Sequence, residues 1–139
     1  PGVQFEEFIV DDMAHRLVVR PDELDVLLLP NLYGDILSDL GAGTIGGLGL
    51  APSGCYGHDF AYFESAHGTA PDIAEMGIIN PTATLLSAAM MLRYLNFGSA
   101  ADRLETSIAD VYLAGSDLTP DQGGDASTER FADAVIGAL

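Results

Sequence analysis

The stretch NLYGDILSDLGAGTIGGLGLAPSG, residues 31 to 54, places two aspartates four residues apart, Asp35 and Asp39, and then runs into a glycine-rich segment. At spacing i, i+4 on a helix, two side chains project from the same face. Left alone, two carboxylates there repel, and the chain already carries a formal net charge of −16. A divalent cation removes the repulsion, and hard oxygen donors suit Mg²⁺ or Mn²⁺. The plainer alternative is a solvated acidic face. Against it stand the apolar neighbours Ile36, Leu37 and Leu40 and the glycines that follow.

Working outward from this stretch, the pattern alternates strands and helices. VQFEEFIV (residues 3–10) reads as a strand. DDMAHRLVVR (11–20) has Met13, Leu17 and Arg20 at helical spacing, with two carboxylates at its start, where they suit a helix N-terminus. Pro21 ends it. DVLLLP (25–30) is an apolar run of strand length, as expected of a strand buried on both faces. Asn31 is then expected to cap the helix that carries the aspartate pair.

Between Gly41 and Gly57 there are seven glycines in 17 residues, too many for a regular element and expected to form a turning loop. FAYFESA (60–66) reads as a strand leading into the loop HGTAP, with a short helix expected from Asp72. PTATLLSAAMMLRYL (81–95) is apolar nearly all round, the mark of a helix buried on most sides. SAADRLETSIADVYLAG is amphipathic, TPDQGGDAST reads as a loop and TERFADAVIGAL as a last helix. Strands alternating with helices predict an α/β fold with some parallel pairing. The chain opens at Pro1 and shows only three convincing strands, so a piece of a longer protein is expected.

Composition bounds the function. The 139 residues are enough for one ordinary domain with a core, and 48% are apolar. The 21 acidic residues face five basic ones, all arginine. A surface this acidic repels nucleic acid and anionic membranes, so neither is expected as a partner. No apolar run reaches the roughly 18 residues that span a bilayer. The single cysteine, Cys55, cannot form an internal disulfide and suits a reducing compartment, so a cytoplasmic location is expected. With no lysine, the chain offers no lysine base or Schiff-base amine. Cys55 has no His–Asp partner nearby in sequence and is not expected to be a nucleophile. His15, on a helix face, and His58, beside Asp59, are expected to be structural or solvent-exposed.

The blocks NLYGDILSDLGAGTIGGLGLAPS, FESAHGTAPDIA, NPTATLLSAAMMLRYL and LTPDQGGDAST stand in this order. Together they closely resemble the C-terminal part of the β-decarboxylating dehydrogenases, the family of the isocitrate, 3-isopropylmalate, homoisocitrate and tartrate enzymes. The resemblance covers essentially the whole chain. It implies the isopropylmalate dehydrogenase-like α/β fold, with residues 1–45 ending an inserted dimerisation and metal-binding domain and 46–139 forming the returning half of the NAD-binding large domain. The activity it implies is Mg²⁺- or Mn²⁺- and NAD-dependent oxidative decarboxylation of a 2-hydroxy acid, in which the metal polarises the hydroxyl and steadies the charge left as CO₂ departs.

The resemblance also implies the site. Asp35 and Asp39 match two metal aspartates. Asp11, in VDDMAHRLV, matches the third, which in the family comes from the other subunit of a homodimer. Asp12 is read as a helix-start charge. His67, Gly68, Thr69, Ala70 and Asp72 match the loop lining the NAD site, Asn80 the adenine-side contact, and Glu64 a position toward the nicotinamide. The family's tyrosine, lysine and arginine cluster match nothing in this chain, so no catalytic residue is expected in it and the piece alone is expected to be inactive. GGLGLAPSG is not the GxGxxG of a Rossmann fold. Asp121 is read as a turn-former.

The pairing of FESAHG with HGTAPD leans toward an isocitrate-like substrate, since isopropylmalate enzymes more often read FEPVHGSAPD. A 3-isopropylmalate dehydrogenase is the alternative. A reading of another class is a non-catalytic regulatory subunit of a heteromeric NAD-linked isocitrate dehydrogenase, which would tend to lose the metal aspartates.

Overall fold

The computed structural model describes residues 2–139 and divides into two compact units, Pro1–Ile45 and Gly46–Leu139. In the first unit, helix α1 (Val10–Val19) packs against helix α2 (Asn31–Thr44). Asp11 and Asp12 occupy the first turn of α1 and Arg16 the last, so the charges oppose the helix dipole correctly at both ends. Met13 is buried, and Leu17 Cδ2 lies 3.8 Å from where a Cβ on Gly41 would stand. Gly41 therefore gives Leu17 a seat on α2 at ordinary contact distance.

Three expectations for this unit need correction. Residues 3–9 carry no regular element, and neither does 25–30. The second segment has a strand-like alternation, with Val26 and Leu28 84% and 89% exposed and Leu27 and Leu29 half-buried. A strand exists only through hydrogen bonds to a neighbour, and among the described residues neither segment has one. Asn31 is the first residue of α2 rather than its cap; Pro30 precedes it, and Asn31 Nδ2 donates to Asp35 Oδ2, one turn on, at 3.5 Å.

The second unit is built on a hairpin and three helices. Strands β1 (Pro52–Tyr56) and β2 (Ala61–Ser65) pair antiparallel, with Gly54 opposite Phe63. The expected parallel pairing is absent among the described residues. The glycine-rich segment is not one loop: α2 runs through its first part and β1 occupies its end. Gly54 makes that possible, because a Cβ there would stand 3.0 Å from Met90 Cε and 3.1 Å from Phe63 Cδ1. The strand pattern was hidden by a residue whose missing side chain is the packing requirement.

The hairpin lies on helix α3 (Thr82–Tyr94), joined through Ser87. Its Oγ accepts from Ser53 N at 3.2 Å and lies 2.6 Å from the Glu64 carbonyl. Helix α4 (Gly98–Ala114) packs between α3 and helix α5 (Thr128–Ala138). Ile108, Val111, Phe131 and Val135 form the core of the unit, and Tyr112 meets Phe131 edge-on with ring centroids 5.6 Å apart. Ser127 caps α5 by accepting from Arg130 N at 3.1 Å. Among the described residues, no helix is long and apolar enough to cross a membrane.

Candidate functional site

The acidic site belongs to the first unit. Asp35 and Asp39 lie one turn apart on α2, both exposed, as their spacing requires. Leu37 between them is buried, so the helix is anchored by its opposite face. Neither arginine of this unit neutralises the pair: Arg16 engages Asp12 and Glu23, and Arg20 engages Glu23. Two uncompensated carboxylates presenting hard oxygens on one rigid face fit a Mg²⁺ or Mn²⁺ ion.

Asp11 is not brought to this pair. It sits exposed in the first turn of α1 and accepts from the Asp12 N–H at 3.0 Å. Among the described residues, no three acidic, histidine or cysteine side chains are grouped closely enough to hold a metal ion. One chain therefore offers two carboxylates and a separate third. Asp12, at the helix start as expected, bonds Arg16 Nε at 2.8 Å. Its bond to Asp12 leads the causes that hold the Arg16 guanidinium above its ordinary pKa.

The second unit holds a shallow cavity of about 430 Å³, lined by His67, Ile73, Ile79, Asn80 and Pro81 among others. That volume lies within the common range for small-molecule sites, about 300–1,000 Å³. Two predicted cofactor residues, His67 and Asn80, share its wall. His67 Nδ1 lies 3.0 Å from the Gly68 carbonyl. A carbonyl only accepts, so Nδ1 carries the proton in the neutral ring and Nε2 is left as an acceptor.

Gly68, Thr69, Ala70 and Asp72 are exposed beside this wall. A Cβ on Gly68 would meet nothing within 4 Å, so packing does not impose that glycine. Ala70 has φ 42°, a left-handed conformation uncommon for a residue with a Cβ. The expected helix at Asp72 is a single 3-10 turn, Pro71–Ile73, and Asp72 makes no capping bond. Pro71 suits the first position, where its missing N–H is not needed, and the segment stops after one turn because Ala74 turns extended (φ −58°, ψ 141°) and Glu75 is left-handed (φ 64°). Asp72 keeps its carboxylate free.

Glu64 points away from α3 on β2, on the same face as Tyr62. The Tyr62 phenol is held above its ordinary pKa first by the neighbouring Cys55 and then by the Glu64 charge. Cys55 is exposed on β1, opposite Tyr62. His15 is exposed, and His58 pairs with Asp59 at 2.9 Å in the hairpin turn.

The sequence reading missed the polar network behind the cavity wall. Asn80 is 4% exposed. Its Nδ2 donates to Tyr112 Oη at 3.1 Å and to Asp121 Oδ2 at 3.0 Å, while its Oδ1 accepts from Thr82 N at 3.0 Å. Asp121 also accepts from Thr119 Oγ1 at 2.6 Å and Gln122 Nε2 at 3.0 Å. Burial alone would raise the Asp121 pKa, but the hydrogen bonds from Thr119, Asn80 and Gln122 outweigh it and hold the carboxyl below its ordinary value. Asp121 is thus more than a turn-former. The one signal available in sequence was the recurrence of polar residues in INP and LTPDQGG, which gives no clue that the two segments meet.

With this geometry in place, comparison with known proteins defines the class. Residues 1–135 match the family model of the isocitrate/isopropylmalate dehydrogenases, and the chain belongs to that family. Among similar proteins is the isocitrate/homoisocitrate dehydrogenase of Thermus thermophilus, 56% identical over the whole chain and 41% of the relative. The probable isocitrate dehydrogenase [NAD] subunit alpha, mitochondrial, of Drosophila melanogaster is 49% identical over the whole chain and 37% of its own length. The 3-isopropylmalate/3-methylmalate dehydrogenase of Methanocaldococcus jannaschii is 47% identical over 96% of the chain and 40% of its own. The crystal structure of isocitrate dehydrogenase from Methylococcus capsulatus superposes with a TM-score of 0.94 at 42% identity, covering 98% of the chain and 41% of that structure. The chain thus spans about two fifths of the length of such relatives.

Proposed function

We propose that this chain supplies the metal-binding carboxylates and the adenosine side of the cofactor site in an NAD-dependent, Mg²⁺- or Mn²⁺-requiring β-decarboxylating dehydrogenase. The observation that carries the reading is the pair Asp35 and Asp39, exposed on one helix face with no arginine of its own unit to neutralise it. In this reading residues 1–45 end the inserted dimerisation domain and 46–139 return to the large domain. Asp11 completes the metal site of the other protomer in a homodimer. A bound divalent ion would polarise the substrate hydroxyl and stabilise the charge left by decarboxylation. His67, Gly68, Thr69, Ala70, Asp72 and Asn80 hold the dinucleotide, and Glu64 faces its nicotinamide end. Asp72 accepts from the ribose hydroxyls and disfavours a 2′-phosphate by like charge. The cytoplasm is the proposed location.

The substrate is proposed to be isocitrate-like, on the strength of FESAHGTAPD and of the names of the Thermus and Drosophila relatives. A 3-isopropylmalate activity is the second reading, favoured by the Methanocaldococcus relative, whose 47% identity is close to the 49% of the Drosophila one. Retention of Asp11, Asp35 and Asp39 counts against a regulatory subunit. The test is NADH formation by the full-length protein with isocitrate and with 3-isopropylmalate, each with Mg²⁺ and with chelator. Isocitrate-dependent, chelator-sensitive reduction of NAD is expected. Turnover of neither acid would overturn the catalytic reading.

A further inference from the structure

We propose that Asp121 and Tyr112 are positioning residues for the adenosine end of the dinucleotide, acting through the Asn80 side chain; this rests on the cofactor reading above. The two residues use both amide hydrogens of Asn80, at 3.0 and 3.1 Å. The Thr82 N–H fixes the amide oxygen. This leaves only one orientation for the Asn80 amide, because a flip would set its NH₂ against the Thr82 donor and its oxygen against Asp121. It also leaves Nδ2 with no hydrogen for a ligand. Asn80 therefore serves the cavity as a wall of fixed shape, and its placement depends on residues that do not themselves line it.

The neighbouring chain is fastened to the same point. Thr82 Oγ1 lies 2.8 Å from Tyr112 Oη, so α3 and α4 share the network. Thr128, at the start of α5, donates from N to the Gly77 carbonyl at 2.7 Å and from Oγ1 to the Ile79 carbonyl at 2.5 Å, fixing the segment that leads into Asn80. A Cβ on Gly49 would stand 3.3 Å from Asn80 Cβ and 3.6 Å from Asp121 Oδ2, so the glycine-rich segment closes over the same pair. Gln122 Nε2 reaches the Gly46 carbonyl at 3.4 Å. Three separated segments, 46–49, 77–82 and 119–122, meet at one buried amide. A network of this kind fixes a unique arrangement when fully satisfied and loosens it when one member is lost.

The experiment uses full-length protein and the variants Asp121→Ala, Asp121→Asn and Tyr112→Phe. The readouts are binding constants for NAD, AMP and the hydroxy acid, with kcat at saturating NAD and the melting temperature. Asp121→Ala is expected to weaken NAD and AMP by about tenfold, the worth of one lost hydrogen bond to a charged group. The hydroxy-acid constant and kcat stay within about twofold. Asp121→Asn, which can still accept from Asn80, is expected to recover most of the loss, and Tyr112→Phe gives a smaller loss that tests the same idea if Asp121→Ala does not fold. NAD and AMP binding unchanged in folded variants would overturn the proposal, as would an equal weakening of NAD and hydroxy acid tracking the melting temperature. Failure of the unmodified protein to bind NAD or AMP would instead overturn the cofactor reading beneath it.

Discussion

The two units of this chain satisfy themselves to different degrees. Gly46–Leu139 buries Phe131 and Val135 almost completely, closes a polar network around Asn80 and pairs both of its strands. Among its described residues, Pro1–Ile45 buries only Met13, Leu37 and Ala42, and leaves Val3, Val26 and Leu28 more than 80% exposed along segments with strand-like sequence and no strand partner. The difference carries over to the sites. The cavity at His67 and Asn80 is bounded by residues of its own unit, whereas the carboxylates at Asp35 and Asp39 lack a third partner within theirs. The second unit partners its own buried polar groups, whereas the first leaves its acidic pair and its strand-like segments without partners of its own.

The strongest way to break that contrast is at the proposed metal site. Asp35→Asn in the full-length protein is expected to lower metal-dependent turnover by more than about 100-fold, since even partners of metal ligands typically cost 10- to 100-fold. Asp11→Asn should do the same. Mixed dimers of the two variants should recover part of the activity, because one of their two sites is then intact. Verified mixed dimers with no recovery would show that Asp11 does not complete the site across protomers, and the half-site reading of the first unit would fall.

The self-sufficiency of the second unit can be tested at two adjacent glycines. A Cβ on Gly124 would stand 1.9 Å from the Leu118 carbonyl oxygen, which is backbone and cannot swing aside. Gly123 has φ 81° but open space around its missing side chain. Gly124→Ala is expected to cost about 3 kcal/mol or more through forced backbone movement. Gly123→Ala should cost about 1–2 kcal/mol through left-handed strain alone. Chemical denaturation of each variant measures both. Equal costs would mean that the 118–126 loop relaxes freely, and the rigid wall it supports behind Asn80 would be in doubt.

How far the sequence could be read follows the same division. The helix carrying Asp35 and Asp39 was legible because i, i+4 spacing and the apolar set Ile36, Leu37 and Leu40 are local facts. The motifs HGTAPD and NP pointed to residues that line one cavity, His67 and Asn80. What stayed hidden depends on long-range pairing. DVLLLP has strand composition, yet composition cannot supply the neighbour that makes a strand. PSGCY was masked by Gly54, whose role appears only once Met90 and Phe63 are seen against it. Tyr112, in an amphipathic helix, gave no sign of meeting Asn80 thirty-two residues earlier.

Cofactor choice gives a smaller, sharper test of the second unit. Asp72 is exposed on a one-turn 3-10 segment and is not used as a cap, so its carboxylate is available to a ribose. The full-length protein should prefer NAD to NADP in kcat/KM by ten- to hundredfold, or roughly 1.4–3 kcal/mol, through like charge against the 2′-phosphate and lost hydrogen bonds. Asp72→Lys with Ile73→Tyr should narrow or reverse the preference. Equal use of both cofactors by the unmodified protein would remove Asp72 from the site.

The smallest expected effect concerns acid, and it separates the units by a single titration. Hydrogen bonds from Thr119, Asn80 and Gln122 hold Asp121 below its ordinary pKa against the opposing effect of burial. A carboxyl depressed in the folded state binds its proton more readily when unfolded. Its contribution to stability is therefore fully present above the unfolded value, near pH 4, and is lost as pH falls through the lower folded value. Other acidic residues complicate the absolute curve, because at −16 net charge mild acid also relieves repulsion across the surface. The informative quantity is the difference in melting temperature between unmodified protein and Asp121→Asn, whose amide does not titrate. That difference should be constant from pH 7 to about pH 5 and shrink toward pH 3. Asp117, also depressed, first by Ser116 and then by Arg130, remains in both proteins and cancels. A difference that stayed flat to pH 3 would mean that the Asp121 carboxylate is not preferentially held by the folded chain, and the network behind Asn80 would lose its charged member.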